Sequence, residues 1–301
     1  MTADQVNLSA TATGASTPAD DELLVAIDEV VSRVKRSWYS ALKERRKTWA
    51  AIRGFREVML IAAVYTMYDL TRFLVEGKTS VAMDHGHDLL HFEQLIGMAP
   101  EHALNKLFTA HLSVGLPADY VYATLHYIVT PVVLVWMWRR QSSAYAFART
   151  VLMVATILAL VGYSVFPVAP PRLLPGFVDT MAQFSHYGWW SNAASAPRGL
   201  GGDTNQFAAM PSLHVGWAIW CGWMLVRYGR HRTTKVFGVA YPVILSVDVM
   251  VTANHYLVDV LAGGAVMAVA YAATLLLVKA GVVSFPTHGS GASPAAEPLA
   301  A

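Results

Sequence analysis

Blocks of apolar residues long enough to cross a bilayer constrain this chain more than any other feature in it. Six can be delimited, at about residues 58–75, 118–138, 148–167, 212–227, 236–252 and 254–278. Most are close to the roughly 17 to 25 residues that traverse a hydrocarbon layer of about 30 Å. The sixth is the longest and the fourth the weakest. Lipid offers the backbone no hydrogen-bond partner, so spans of this kind are helices. The expected fold is all-α: a polytopic six-transmembrane-helix bundle with a basic N-terminal amphipathic helix and extracytoplasmic loop helices. Composition agrees, since 14% of the residues are charged against about 25% in soluble domains. It excludes a disordered chain, a collagen-like fibre and a disulfide-stapled secreted domain, the last because Cys221 is the only cysteine.

Basic residues then set the organisation. Residues 1–20, rich in Ala, Thr and Ser, read as a disordered tail. Residues 21–57 read as a basic helix carrying Arg33, Lys35, Arg36, Lys43, Arg45, Arg46, Lys47, Arg53 and Arg56, suited to anionic lipid. No short apolar core with a cleavage site precedes it, so it is not a signal peptide. Residues 58–279 form the membrane domain, and 280–301 a second disordered tail. Arg139, Arg140, Arg149, Arg227, Arg230, Arg232, Lys235 and Lys279 fall on the side of the N-terminal tail if the spans alternate. Arg72, Lys78, Lys106, Arg172 and Arg198 fall on or near the other. The expected topology has both termini in the cytoplasm, in the plasma (inner) membrane. The asymmetry concerns topology, and no nucleic-acid partner is implied.

Two extracytoplasmic segments, about 76–117 and 168–211, are too long for simple turns and are the kind that carries function. Three stretches then place unusual polar residues at one membrane face: 163–175, 209–214 and 252–264. In the third, His255 and Asp259 are four apart, which on a helix puts them on one face. A carboxylate there can orient the imidazole, leaving the other nitrogen as nucleophile or base. The other reading is a hydrogen-bonded structural pair. In the second stretch Pro211 suits a helix start, with Ser212 and His214 in the first turn, where free N–H groups and the helix dipole favour an anion. Ser212 could bond a phosphate oxygen and His214 could give a proton to a departing one, or the two could be an N-cap and an interfacial histidine. Arg172 follows Ala-Pro-Pro, whose stiffness suits a fixed guanidinium for phosphate; snorkelling to headgroups is its alternative.

At these residues the chain resembles the type-2 phosphatidic acid phosphatase superfamily, most of all its branch with inositol phosphorylceramide synthase and inositolphosphotransferase-like bacterial proteins. The motifs are matched by Arg172, by Pro211-Ser212-Leu213-His214, and by His255 with Asp259. The resemblance implies a six-helix membrane bundle acting on a lipid phosphate without metal or other cofactor. It implies that His255 attacks phosphorus to give a phosphohistidine, that Asp259 orients it and that His214 protonates the leaving alcohol. Arg172 and Ser212 would hold the phosphoryl oxygens. Two family positions depart: Val249 stands where the third motif has an arginine, next to Asp248, and Val165 where the first motif has a lysine. These departures favour the phosphotransferase-like branch over lipid phosphate or polyprenyl diphosphate hydrolysis. Arg198 or Arg72 could supply the missing charge, and His126 could line the substrate cavity or make a helix-helix bond.

Other groupings have simpler readings. His85, His87 and His91 with Asp84 and Asp88 have loose metal-ligand spacing but better suit a lid or interfacial helix. Trp136, Trp138 and the pair Trp189-Trp190 read as interface anchors. Gly263-Gly264 permits close helix packing. A transporter or scaffold would spread its ionisable groups along a midplane pathway, often in repeated broken helices, and no repeat is visible here.

Overall fold

The computed structural model describes residues 78–190, 206–283 and 285, and separate helical positions between 29 and 67. The chain divides into two units, residues 1–62 and 63–301. The N-terminal tail, most of the C-terminal tail, most of the basic N-terminal helix and most of the first expected span lie outside the described residues, as do Arg72 and Arg198.

Between residues 78 and 283 the described residues form, in order, α1 (Thr79–Leu95), α2 (Glu101–Thr109), α3 (Leu112–Arg140), α4 (Ser142–Val165), α5 (Thr180–Gln183), α6 (Leu213–Tyr228), α7 (Arg232–Val251) and α8 (Leu257–Lys279). Among the described residues there is no strand, only one parallel bridge between Val168 and Ala208. Four helices, α3, α4, α7 and α8, are long and apolar enough to cross a membrane. The fourth expected span is α6, a helix of 16 residues. The second expected span starts earlier than its hydropathy suggests, because α3 continues back through Pro117 to Leu112. The sixth starts later, at Leu257 rather than 254.

The core lies between α3, α4, α6, α7 and α8, around Met137, Trp220, Met224, Tyr241 and Leu245. Indole N–H groups buried there are paired: Trp220 donates to the Ala148 carbonyl at 2.8 Å and Trp217 to Thr156 Oγ1 at 3.0 Å. Val132, Val161, Val243, Val269 and Leu276 instead face outward, an apolar surface that suits lipid and not water. Two close crossings draw the helices together. A Cβ on Gly222 would lie 2.3 Å from the Gly238 carbonyl oxygen, and one on Gly263 would lie 2.3 Å from that of Ser212. Close backbone approach of this kind is how membrane helices gain packing where burial from water is not available.

Helix ends place the functional segments. At the end of α7 the Ala253 N–H donates to the Met250 carbonyl and the Asn254 N–H to that of Val249, both at 3.0 Å. This is the paired-bond Schellman closure, with Ala253 at φ +54° in the left-handed position usually given to glycine. An L-residue there costs about 1–2 kcal/mol. The turn delivers Asn254 and His255 directly in front of α8. Asn105 of α2 braces the same end: its amide donates to the carbonyls of Val178 and Val251 and its oxygen accepts from the Val178 N–H, at 2.9, 3.0 and 2.9 Å.

Gly263→Val should lower stability by about 1–3 kcal/mol through overpacking against the Ser212 backbone. Gly264→Val should change little, because the nearest atom to its new Cβ is the mobile Cδ1 of Ile219 at 3.4 Å. Unfolding midpoints of the two variants in detergent check this.

Candidate active site

His255 precedes α8 and does not share a helical face with Asp259; α8 begins at Leu257, with Tyr256 as N-cap and Asp259 as its third residue. The two meet by another route. Asp259 Oδ2 accepts the Tyr256 N–H at 2.9 Å, and that fold-back carries the carboxylate to 3.4 Å from His255 Nδ1. The shorter bond from Nδ1 goes to the Ala209 carbonyl, at 2.7 Å. A carbonyl only accepts, so Nδ1 carries the hydrogen and Nε2 keeps its lone pair. Both residues are buried.

Ser212 is the N-cap of α6, and its Oγ accepts from the Val215 N–H at 3.5 Å. Its own N–H donates to the Asp259 carbonyl at 3.0 Å, tying α6 to α8. The hydroxyl hydrogen is left to donate elsewhere. His214 stacks on Tyr122 with centroids 4.6 Å apart, and its ring lies 5.6 Å from that of His255. His126 of α3 meets His214 edge to face at 4.3 Å. Three imidazoles thus stand in a row at the junction of α3, α6 and α8, and the contact His126 makes is with the proposed acid.

Arg172 lies in a short 3-10 turn, Pro171–Leu173, entered from extended Pro170. Its N–H donates to the Ala253 carbonyl at 2.8 Å, its Nε to Asn254 Oδ1 at 3.0 Å and its Nη1 to Asp179 Oδ2 at 3.4 Å. The side chain is buried, which excludes snorkelling, and among the described residues it is the one buried Lys or Arg. Asn254 and Asp179 aim the guanidinium, and Nη2 has no partner among the described residues. A planar fork held in this way suits a tetrahedral anion.

Val249 is packed in the core and supplies no charge. The surroundings are acidic instead. Asp119, one turn before Tyr122, accepts from Thr180 Oγ1 at 2.6 Å, and Asp248 lies close enough to Asp119 for the two to repel. One oxygen of each carboxylate has no partner among the described residues.

Sequence reasoning assigned no role to Asn254, Asp179, Asn105, Asp119, Glu93 or Glu101. For Asn254 the signal was its place beside His255; the others look like ordinary polar residues of loops and short helices. The first-segment histidines have local duties: His85 Nδ1 donates to the Pro167 carbonyl at 2.8 Å with its ring stacked on Phe166, and His87 Nδ1 donates to the Met83 carbonyl at 2.9 Å. Trp190 is no interface anchor, since it is fully buried and donates to the Met181 carbonyl, whereas Trp189 is exposed.

Comparison with curated proteins and with solved structures gives no match. The family model of the PAP2 superfamily matches residues 87–273, a stretch that holds Arg172, Ser212, His214, His255 and Asp259 and covers more than half of the chain. The chain belongs to the PAP2 superfamily.

Proposed function

We propose that the chain is a membrane-embedded lipid phosphotransferase that moves a phosphoryl-linked polyol headgroup, such as phosphoinositol, from a lipid to an alcohol through a phosphohistidine. Membership of the superfamily points to phosphatase or phosphotransferase chemistry. The observation that carries the finer reading is the fixed tautomer of His255, beside His214 and a buried Arg172.

In the first half-reaction His255 Nε2 attacks phosphorus while the bond to the leaving alcohol oxygen breaks, and His214 gives that oxygen a proton. Positive charge developing on His255 is met by Asp259 and the Ala209 carbonyl. Arg172 and the Ser212 hydroxyl hold the equatorial oxygens, and the N-terminus of α6 adds its dipole. In the second half-reaction His214 takes the proton of the incoming hydroxyl as its oxygen attacks phosphorus, and the P–N bond breaks. Two easier displacements replace one difficult one.

Water as acceptor would make the same machinery a lipid phosphatase, and this is the second reading. The proposed topology keeps both termini cytoplasmic and the site at the extracytoplasmic face, with the basic N-terminal helix on anionic lipid.

Three variants test the reading, with purified protein, phosphatidylinositol, phosphatidic acid and polyprenyl diphosphate as donors, a long-chain alcohol as acceptor, and product masses as readout. His255→Ala should lose at least about 10³-fold in kcat, as removal of a covalent nucleophile does; unchanged turnover would sink the assignment. Asp259→Asn should cost less, about 10- to 100-fold, because the Ala209 carbonyl still holds the tautomer that in a Ser-His-Asp triad depends on the carboxylate. Arg172→Lys should lower kcat/KM about 100-fold, since an ammonium cannot bond Asn254 and Asp179 and also fork onto phosphate. Headgroup on the added alcohol identifies a transferase, and inorganic phosphate a phosphatase.

A further inference from the structure

Helix α1 does not have the character of a lid. The Ala169 N–H donates to its Ala82 carbonyl at 2.8 Å, and a Cβ on Gly86 would come within 2.8 Å of the Ala169 carbonyl oxygen and 3.0 Å of Tyr256 Oη. Tyr256 Oη itself donates to that same carbonyl at 2.9 Å. Near the far end of α1, fully buried Glu93 accepts the Val258 N–H at 2.6 Å. Val258 is the second residue of α8, so Glu93 occupies one of the N–H groups that a helix start leaves open.

Glu101, the first residue of α2, is also fully buried and meets Glu93 side chain to side chain. Glu93 Oε2 and both Glu101 oxygens have no donor among the described residues. Two ionised carboxylates cannot bond each other, and burying both charges is very costly; one shared proton makes one of them a donor. Burial, and then the bond to Glu101, pushes the Glu93 carboxyl up to about 9. The other titratable groups facing the pair are Asp259 and Tyr256, both at the start of α8.

We propose that Glu93 and Glu101 are positioning residues, a proton-sharing pair that holds the start of α8 and thereby sets Asp259 and His255. Loss of the shared proton would leave two adjacent charges pressing against the helix end that carries Asp259. The kinetic part of this proposal rests on His255 being the nucleophile; the titration of the pair does not.

The test uses full-length protein in detergent, as wild type, Glu93→Gln, Glu101→Gln and Glu93→Leu, with kcat, KM and the unfolding midpoint followed across pH. The amide that Glu93→Gln introduces still accepts from the Val258 N–H and donates to Glu101, so this variant should keep kcat within about threefold near neutrality. It should lack the wild-type decline as pH passes about 9. Glu93→Leu should lose at least about tenfold in kcat with KM within about twofold, the pattern of a displaced reacting group and not of weakened binding. Folded, Glu93 keeps its proton to higher pH than it does in the unfolded chain. Its stabilisation is therefore complete below the ordinary value of 4.5 and is lost as pH rises through about 9. The wild-type midpoint should fall over that window relative to Glu93→Gln, and Glu101→Gln, which keeps the buried Glu93, should fall less steeply than wild type. Parallel midpoint curves for wild type and Glu93→Gln would overturn the proposal, as would unchanged kcat in folded Glu93→Leu. If wild type turned over no substrate, the functional reading would fail while the midpoint curves still decided the pair.

Discussion

Much of this site depends on one residue being buried at a helix start. Asp259 accepts the Tyr256 N–H through its carboxylate and the Ser212 N–H through its main-chain carbonyl, and lies 3.4 Å from His255 Nδ1. A single position therefore closes the first turn of α8, anchors the N-cap of α6 and sets the field at His255. The Gly263 crossing belongs to the same constraint, because the Ser212 backbone reaches Asp259 only if the residue one turn further along α8 has no side chain. Folding and chemistry meet in the same few atoms, and substitutions here should affect both.

The acidity of the surroundings sharpens the role of Arg172. Among the described residues Asp119, Asp248, Asp259, Glu93 and Glu101 are all buried, against one buried guanidinium. With one guanidinium among so many carboxyls, an anion needs binding groups that are close and rigid. Arg172 has that rigidity, with its main chain on Ala253 and its side chain on Asn254 and Asp179. Neutral donors, the Ser212 hydroxyl and the α6 N-terminus, add attraction without another buried charge to desolvate.

The helical class and the residues of the candidate site were legible in the sequence because both are written in side chains. Apolar length marks spans, and Arg172, Ser212, His214, His255 and Asp259 are residue types whose presence near apolar segments demands a reason. The route by which His255 meets Asp259 was not legible. A spacing of four reads as a helical face, whereas the actual contact needs α7 to stop at Val251, the Schellman turn to form and α8 to restart at Leu257. Those events are hydrogen bonds among main-chain groups, and Ala253 in the left-handed position disguises the turn by standing where glycine would have announced it. The braces were hidden for a different reason. Asn105, Glu93 and Glu101 belong to short helices in a segment that looks amphipathic, where polar residues normally meet water.

That burial changes the meaning of the first segment. A lid would expose its polar residues when open and would be tied by few contacts, but α1 holds Ala169 through the Ala82 carbonyl, packs Gly86 against Ala169 and the Tyr256 hydroxyl, and holds the first turn of α8 through the Glu93 carboxylate. Moving it would strand the Val258 N–H and part Glu93 from Glu101, each a cost for groups that stay buried. Substrate entry is therefore better served by motion elsewhere in the molecule, with α1 and α2 acting as part of the frame against which His255 is held.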